Sequence, residues 1–264
     1  MDFSVFLPPF TSVELPSKGL LYSKDNPLSS GWVHIRAYAG PEEALLATMN
    51  SQNWYMVINQ MLASCIEEKI DIGLLTNEDA FFILTWLRAT SYSPLFDVEA
   101  TCPFQDCQHA EKYVINLGTD LTFHQLAEDV TEPLIIELSV TKLTVHLRCM
   151  RRNAEVKAQR RQAEITQYRG YLGDPTDLLK RAYSIIKVIA PNGEETSDIL
   201  ELESLCLEYL PSADSLEIDT AMLKFQHGVD TNISLVCKAC ERTMYTRLPS
   251  GASFFRPEIL VPTK

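Results

Sequence analysis

Four of the seven cysteines fall into two close pairs, Cys102 with Cys107 and Cys237 with Cys240. Cys237-Lys238-Ala239-Cys240 has the two-residue gap of a zinc knuckle. Cys102-Pro103-Phe104-Gln105-Asp106-Cys107 has the four-residue gap that such sites also use. Thiolates are soft and anionic when metallated, and a tight turn presents two of them to one tetrahedral ion. Together the pairs supply four sulfur ligands, the donor set of a closed structural zinc centre; zinc against iron stays open at this level. With well over a hundred residues between the pairs, the ion would act as a clasp between two halves of the chain. Reduced cysteines that merely lie in pairs are the plain alternative. Cys65, Cys149 and Cys206 sit in apolar surroundings and read as reduced core thiols, and an odd cysteine total argues against a disulfide framework.

Catalysis has no comparable signature. His109 is the one histidine near a cysteine pair and reads as solvent-facing, and the His-x-Glu that precedes the cysteines of zinc deaminases is missing. There is no Gly-x-Ser-x-Gly elbow, His-Glu-x-x-His, phosphate loop or Gly-x-Gly-x-x-Gly, and Lys18-Gly19 is reversed for a phosphate loop. The expectation is a protein that is not an enzyme and has no small-molecule substrate.

The elements around the pairs follow from periodicity. Trp32–Arg36 reads as a short strand, and Pro41, Glu42 and Glu43 suit the first turn of a helix. Helices should fill 41–89, with Trp54, Val57, Ile58, Met61, Leu62 and Cys65 at helical spacing and Thr76 or Asn77 as a cap. From Leu95 the period changes to two, which places the first cysteine pair at the turn of a β-hairpin. A helical turn is expected around Phe123–Asp129, strands at 134–140 and 143–149, and helices at 153–169 (capped by Asn153), 176–189, 198–209 and 212–226. The second cysteine pair again lies between strands, 233–236 and 244–248. The fold class is therefore α+β, mainly helical, with short β-hairpins carrying a zinc-ribbon-like four-cysteine site. The expected layout is an extended N-terminal arm (1–30), a helical module ending in the first hairpin (31–130), a second strand-helix module ending in the second (131–250) and a C-terminal tail (251–264). Prolines mark both ends: Pro8, Pro9 and Pro16, then Pro249, Pro257 and Pro262. Val33-His34-Ile35-Arg36 and Val145-His146-Leu147-Arg148 occupy the same place in the two halves, which suggests a duplicated module.

Composition narrows the partners. The 264 residues are 46% hydrophobic and 22% charged, typical of a folded chain, and the net charge of −12 repels phosphate backbones and anionic lipid. No apolar run reaches the 18 or so residues of a membrane span. Asp2, Pro8 and Pro9 interrupt what would otherwise resemble a signal peptide, so an intracellular product is expected. Arg148, Arg151, Arg152, Lys157, Arg160 and Arg161 form a local basic cluster. It reads as a solvated helix face, then as a docking face for an acidic protein surface, with nucleic acid last because aromatics are not interleaved.

An order of short motifs then stands out: Leu15-Pro16-Ser17-Lys18-Gly19 with Tyr22, a strand ending in Arg36, Glu42 and Glu43 opening helices, Leu87-Arg88 ahead of Ser91-Tyr92, and a cysteine pair after a strand. This order resembles the baseplate hub and assembly proteins of contractile-tailed, T-even-like bacteriophages, over most of 13–120 and more loosely over 140–250. Ser93-Pro94 stands where a glycine would be expected, and the Cys102–Cys107 gap is wider than the family's. The resemblance implies a structural component of the tail baseplate, at the hub or the tail-tube end. It would be made in the host cytoplasm and located in the virion, bound to other tail and baseplate proteins with tape-measure protein among the candidates. On this reading Leu15, Pro16, Ser17, Lys18, Gly19, Tyr22, Arg151 and Arg152 are the candidate partner-binding residues. The reading that the cysteines and the basic cluster leave open beside it is a zinc-ribbon nucleic-acid-binding or regulatory protein.

Overall fold

The computed structural model describes residues 3–50, 53–168, 173–249 and 252–256. Thr11–Glu14 (β1) pairs antiparallel with Trp32–Ile35 (β2), Val13 opposite Val33. Gly40–Ala47 (α1) opens with Pro41 in its first turn, and the Glu42 carboxylate accepts the Ala39 N–H at 2.8 Å. Trp54–Cys65 (α2) buries Val57, Ile58, Met61, Leu62 and Cys65, the stripe its spacing predicts. Thr76 caps Asn77–Ser91 (α3) by accepting the Asp79 N–H at 3.1 Å. Leu95–Thr101 (β3) and Ala110–Asn116 (β4) form the first cysteine hairpin, with strict in/out alternation along β3.

The second half contains Phe123–His124 (β5), Leu134–Glu137 (β6), Thr144–Leu147 (β7), Arg152–Tyr168 (α4), Thr176–Ser184 (α5), Ile185–Ile189 (β8) and Glu195–Thr196 (β9). Strands β6, β7, β8 and β9 make a four-stranded antiparallel sheet in that order. Ile199–Ser204 (α6) continues as one π-turn through Tyr209, and Ser212–Met222 (α7) follows. Gly228–Val229 (β10) pairs with β5, Asn232–Val236 (β11) pairs with Thr243–Arg247 (β12), and Ala252–Phe255 (α8) closes the described chain. With 40% helix and 22% strand the fold is α+β. No helix among the described residues is long and apolar enough to cross a membrane.

Several elements differ from the sequence reading. Residues 176–189 are not one helix: α5 stops at Ser184, and Ile185, Ile186, Val188 and Ile189, mostly β-branched, continue as β8 against β7. The helical turn expected at Phe123–Asp129 is instead a two-residue strand whose partner lies a hundred residues downstream. Helix α4 opens at Arg152, one residue before the Asn153 expected to cap it. Within 1–30, residues 11–14 are a paired strand, and Leu15, Leu21 and Leu28 are buried. Within 251–264, Phe254 and Phe255 are buried, Phe254 against Phe81 and Phe96. Pro257 and Pro262 lie outside the described residues.

Two apolar clusters hold these pieces. The first joins β1, β2, α2, α3 and the β3–β4 hairpin, and β11, β12 and α8 return from the far end of the chain to complete it. The second packs α5, α6 and α7 on the four-stranded sheet. The repeated four-residue motif has matching surroundings in both halves. Ile35 lies between Thr11 and Ile66, and Leu147 between Leu134 and Ile185. The Arg36 N–H donates to Cys65, the last residue of α2, at 3.0 Å; the Arg148 N–H donates to Ser184, the last residue of α5, at 2.9 Å.

Candidate metal centre

The two hairpin turns present their cysteines in the same way. The Cys102 N–H donates to the His109 carbonyl at 2.8 Å and the Cys237 N–H to the Arg242 carbonyl at 3.0 Å, in each case two residues past the second cysteine. Gln108 (φ +48°) and Glu241 (φ +58°), each one residue past that cysteine, take the left-handed conformation that turns the chain back. Cys102 and Cys237 are buried and Cys107 and Cys240 half-buried.

The pairs meet. Cys102 Sγ lies 3.7 Å from Cys240 Sγ, and Cys107 Sγ lies 3.7 Å from Cys237 Sγ, with all four sulfurs within 4.8 Å of one another. A tetrahedral ion with Zn–S bonds of about 2.3 Å requires S···S edges of about 3.8 Å. A disulfide would need about 2.05 Å. The geometry therefore fits four ligands around one ion, not two covalent bridges.

One contact favours thiolate at Cys240. Arg242 Nε donates to Cys240 Sγ at 3.4 Å, and this contact holds the Cys240 thiol down to about 6. Arg242 stacks on Phe104 at 3.9 Å and pairs with Asp106 at 2.6 Å, while Lys238 pairs with Glu111 at 2.5 Å and lies over Tyr113. Each of these cations sits on one hairpin and its partners on the other. His109 is exposed and bonds Glu111 at 3.1 Å. Arg242 is the residue the spacing argument did not single out, although its position two residues after the last cysteine marks it. Burial pushes the thiols of Cys65 and Cys206 up to about 12, and neither has a second cysteine beside it among the described residues.

The residues considered for partner binding are engaged within the chain. Leu15, Pro16, Ser17 and Gly19 are buried and Lys18 and Tyr22 half-buried. The Asp79 carboxylate, one turn into α3, accepts the Ser17 N–H at 3.1 Å and the Tyr22 hydroxyl at 2.6 Å. Arg151 lies over the Tyr22 ring and donates to the Leu21 carbonyl at 2.5 Å and to Glu132 at 2.7 Å. Arg152 is buried, donating to Asn59 at 2.7 Å beneath the Tyr55 ring. Gly19 is required: at φ +77° an added Cβ would sit 2.6 Å from the Gly31 nitrogen. The Leu-Pro-Ser-Lys-Gly segment is thus a locked turn on the first core, not a free arm.

The other short motifs are also packing devices. Arg36 makes a two-pronged pair with Glu42 at 3.0 and 3.2 Å, Ser91 Oγ accepts the Tyr38 N–H at 2.9 Å, and the Tyr92 hydroxyl donates to Glu43. Of the basic cluster on α4, Arg161 pairs with Glu203 and Glu164, and Lys157 and Arg160 are exposed. Neither a curated protein nor a solved structure matches the chain. A family model described as T4 bacteriophage base plate protein does match, over residues 14–256, a span that takes in both cysteine hairpins and every short motif above, and the chain belongs to that family.

Proposed function

We propose that this base plate protein is a structural and assembly subunit stationed at the hub or the tail-tube end. It binds neighbouring tail proteins, tape-measure protein among them, and one structural zinc at Cys102, Cys107, Cys237 and Cys240 staples it. The observation that carries the reading is the cluster of four sulfurs, two of whose separations (3.7 Å) match a zinc tetrahedron and whose ligands lie 130 or more residues apart across the cluster in a chain with no catalytic signature. Contact surface is available beside it. On the hairpins Leu95, Val114, Val236 and Tyr245 are exposed, and near the N-terminus so are Val5, Phe6, Leu7 and Phe10. Apolar side chains displayed on two rigid hairpins and one short strip offer neighbours an area to bury. The acidic chain and the internal pairing of Arg151, Arg152 and Arg161 speak against a nucleic-acid-binding role.

The test is base plate assembly from extracts supplied with purified chain. Wild type and Cys206→Ser should support assembly and carry zinc. Cys102→Ser and Cys237→Ser should lose the ion at this centre and most of the assembled product. Normal assembly by Cys237→Ser that has lost the four-cysteine ion overturns the staple, and finished tails that form without the chain overturn the structural role.

A further inference from the structure

We infer that Glu78, Cys149 and His227 form a second site for a divalent transition metal ion, separate from the four-cysteine centre and best matched to zinc. Three distant segments meet there: the first turn of α3, the residue two past β7, and the turn before β10. A carboxylate oxygen, the Cys149 sulfur and an imidazole nitrogen lie within 4.8 Å of one another, with Sγ already 3.5 Å from Glu78 Oε2. Donor separations around tetrahedral zinc are about 3.3–3.8 Å, so a small closure suffices.

The histidine is oriented by its other nitrogen. Nδ1 donates to the Phe225 carbonyl at 2.6 Å, which leaves the lone pair on Nε2, as in a metal-bound imidazole fixed by an outer partner. Nε2 is 3.3 Å from Thr76 Oγ1 and 3.6 Å from Asp79 Oδ1, whose carboxylate is already engaged by the Ser17 N–H and the Tyr22 hydroxyl. The backbone is shaped for this approach. Gly228 adopts φ +89°, and a Cβ there would stand 3.0 Å from the Glu78 carbonyl and 3.2 Å from its Cβ. A side chain there would be strained at this φ and would crowd Glu78.

Charge supplies an independent argument. Cys149 and His227 are buried, and the Glu78 carboxylate meets a thiol and no lysine or arginine among the described residues. The nearby Arg151 is already paired with Glu132 at 2.7 Å. A carboxylate set against a buried thiol without a counter-cation is costly. A thiolate and a carboxylate together balance a divalent ion, which leaves a neutral, enclosed site. Carboxylate, thiolate and imidazole are a zinc-type donor set, unlike the all-oxygen sets of magnesium or calcium.

The experiment measures metal per chain on the full-length protein after zinc saturation and desalting, then repeats it with cobalt(II) to read sulfur-to-metal charge transfer. Two ions per chain are expected. Cys149→Ser and Glu78→Gln should each retain one ion with the strong four-thiolate band, and Cys237→Ser should retain one with a weak single-thiolate band. The wild-type count stands even where a variant fails to fold. A wild-type chain holding one ion that Cys149→Ser keeps overturns the second site and leaves the four-cysteine reading intact. Two ions retained in Cys149→Ser also overturn it. One ion lost in Cys149→Ser but kept in Cys237→Ser upholds this site and sinks the other.

Discussion

Removing the ion proposed at the four-cysteine centre should cost the fold about 5 kcal/mol. Cys107 and Cys237 are 130 residues apart in sequence, and the ion closes that whole span as a cross-link would. The chain-entropy relation for a loop of that length gives about 5 kcal/mol at 25 °C. The two cross-hairpin charge pairs, Arg242–Asp106 and Lys238–Glu111, add little, because exposed pairs are worth about 0–1 kcal/mol each. In a chain of this size the loss corresponds to a fall in Tm on the order of 10–20 °C. The assay is thermal melting of the full chain by circular dichroism before and after a chelator, with metal content measured on the same samples. Cys102→Ser and Cys237→Ser should melt low before any chelator is added, whereas Cys206→Ser, buried in the second apolar cluster, should keep its metal and its full chelator-dependent shift. Full zinc in both ligand variants, or superimposable melts for metal-loaded and metal-free chain, would refute the reasoning.

Three further outcomes follow from individual contacts. Burial works against the Glu42 carboxylate, but Arg36, Ser64 and the Ala39 N–H outweigh it and hold its pKa at about 2, against an ordinary 4.5. Its stabilisation is therefore full above pH 4.5 and lost as pH falls toward 2, on the order of 3 kcal/mol; Glu42→Gln should flatten the acid limb of stability against pH, and an unchanged acid midpoint would contradict this. Gly19→Ala places a Cβ 2.6 Å from backbone atoms at φ +77° and should destabilise by about 2 kcal/mol or more, read as a shifted urea midpoint. Arg242→Ala removes the donor to Cys240 Sγ and should weaken zinc about 10- to 100-fold in competition with a chromophoric chelator; unchanged affinity would show that the contact is incidental.

What could be read from the sequence divides along the range of the forces involved. The cysteine turns were legible because two-residue and four-residue gaps are local geometry, and the β3 alternation and the α2 stripe were legible because each repeats within one element. Ile185–Ile189 was not, since an apolar run of that length suits helix or strand, and the neighbouring β7 edge decides it. Phe123–His124 pairs with Gly228–Val229, a contact no local window contains. The Leu15–Gly19 turn has loop composition, which suggests an arm; what anchors it is Asp79, 62 residues from Ser17. His227 shows the same limit, because a lone histidine beside a glycine carries no spacing signal until α3 and β7 are placed against it.

A reason for a metal at this place lies in how little else holds the hairpins. A two-stranded hairpin alone is marginal in water. The pairs β3–β4 and β11–β12 are separate two-stranded sheets, each burying one face: Phe96, Val98, Tyr113 and Ile115 from one, Ile233, Leu235 and Met244 from the other. Their opposite faces carry exposed Leu95, Val114, Val236 and Tyr245, and covering those with a further layer of this chain would remove the surface proposed for neighbours. A cross-link at the turns gives rigidity without covering either face. If the proposed ion is the cross-link, stability and docking are coupled through it, so variants ranked by zinc retention should fall in the same order by melting temperature and by binding to assembled tails. A variant that loses zinc and stability yet binds tails at wild-type strength would break that coupling and place the docking surface elsewhere.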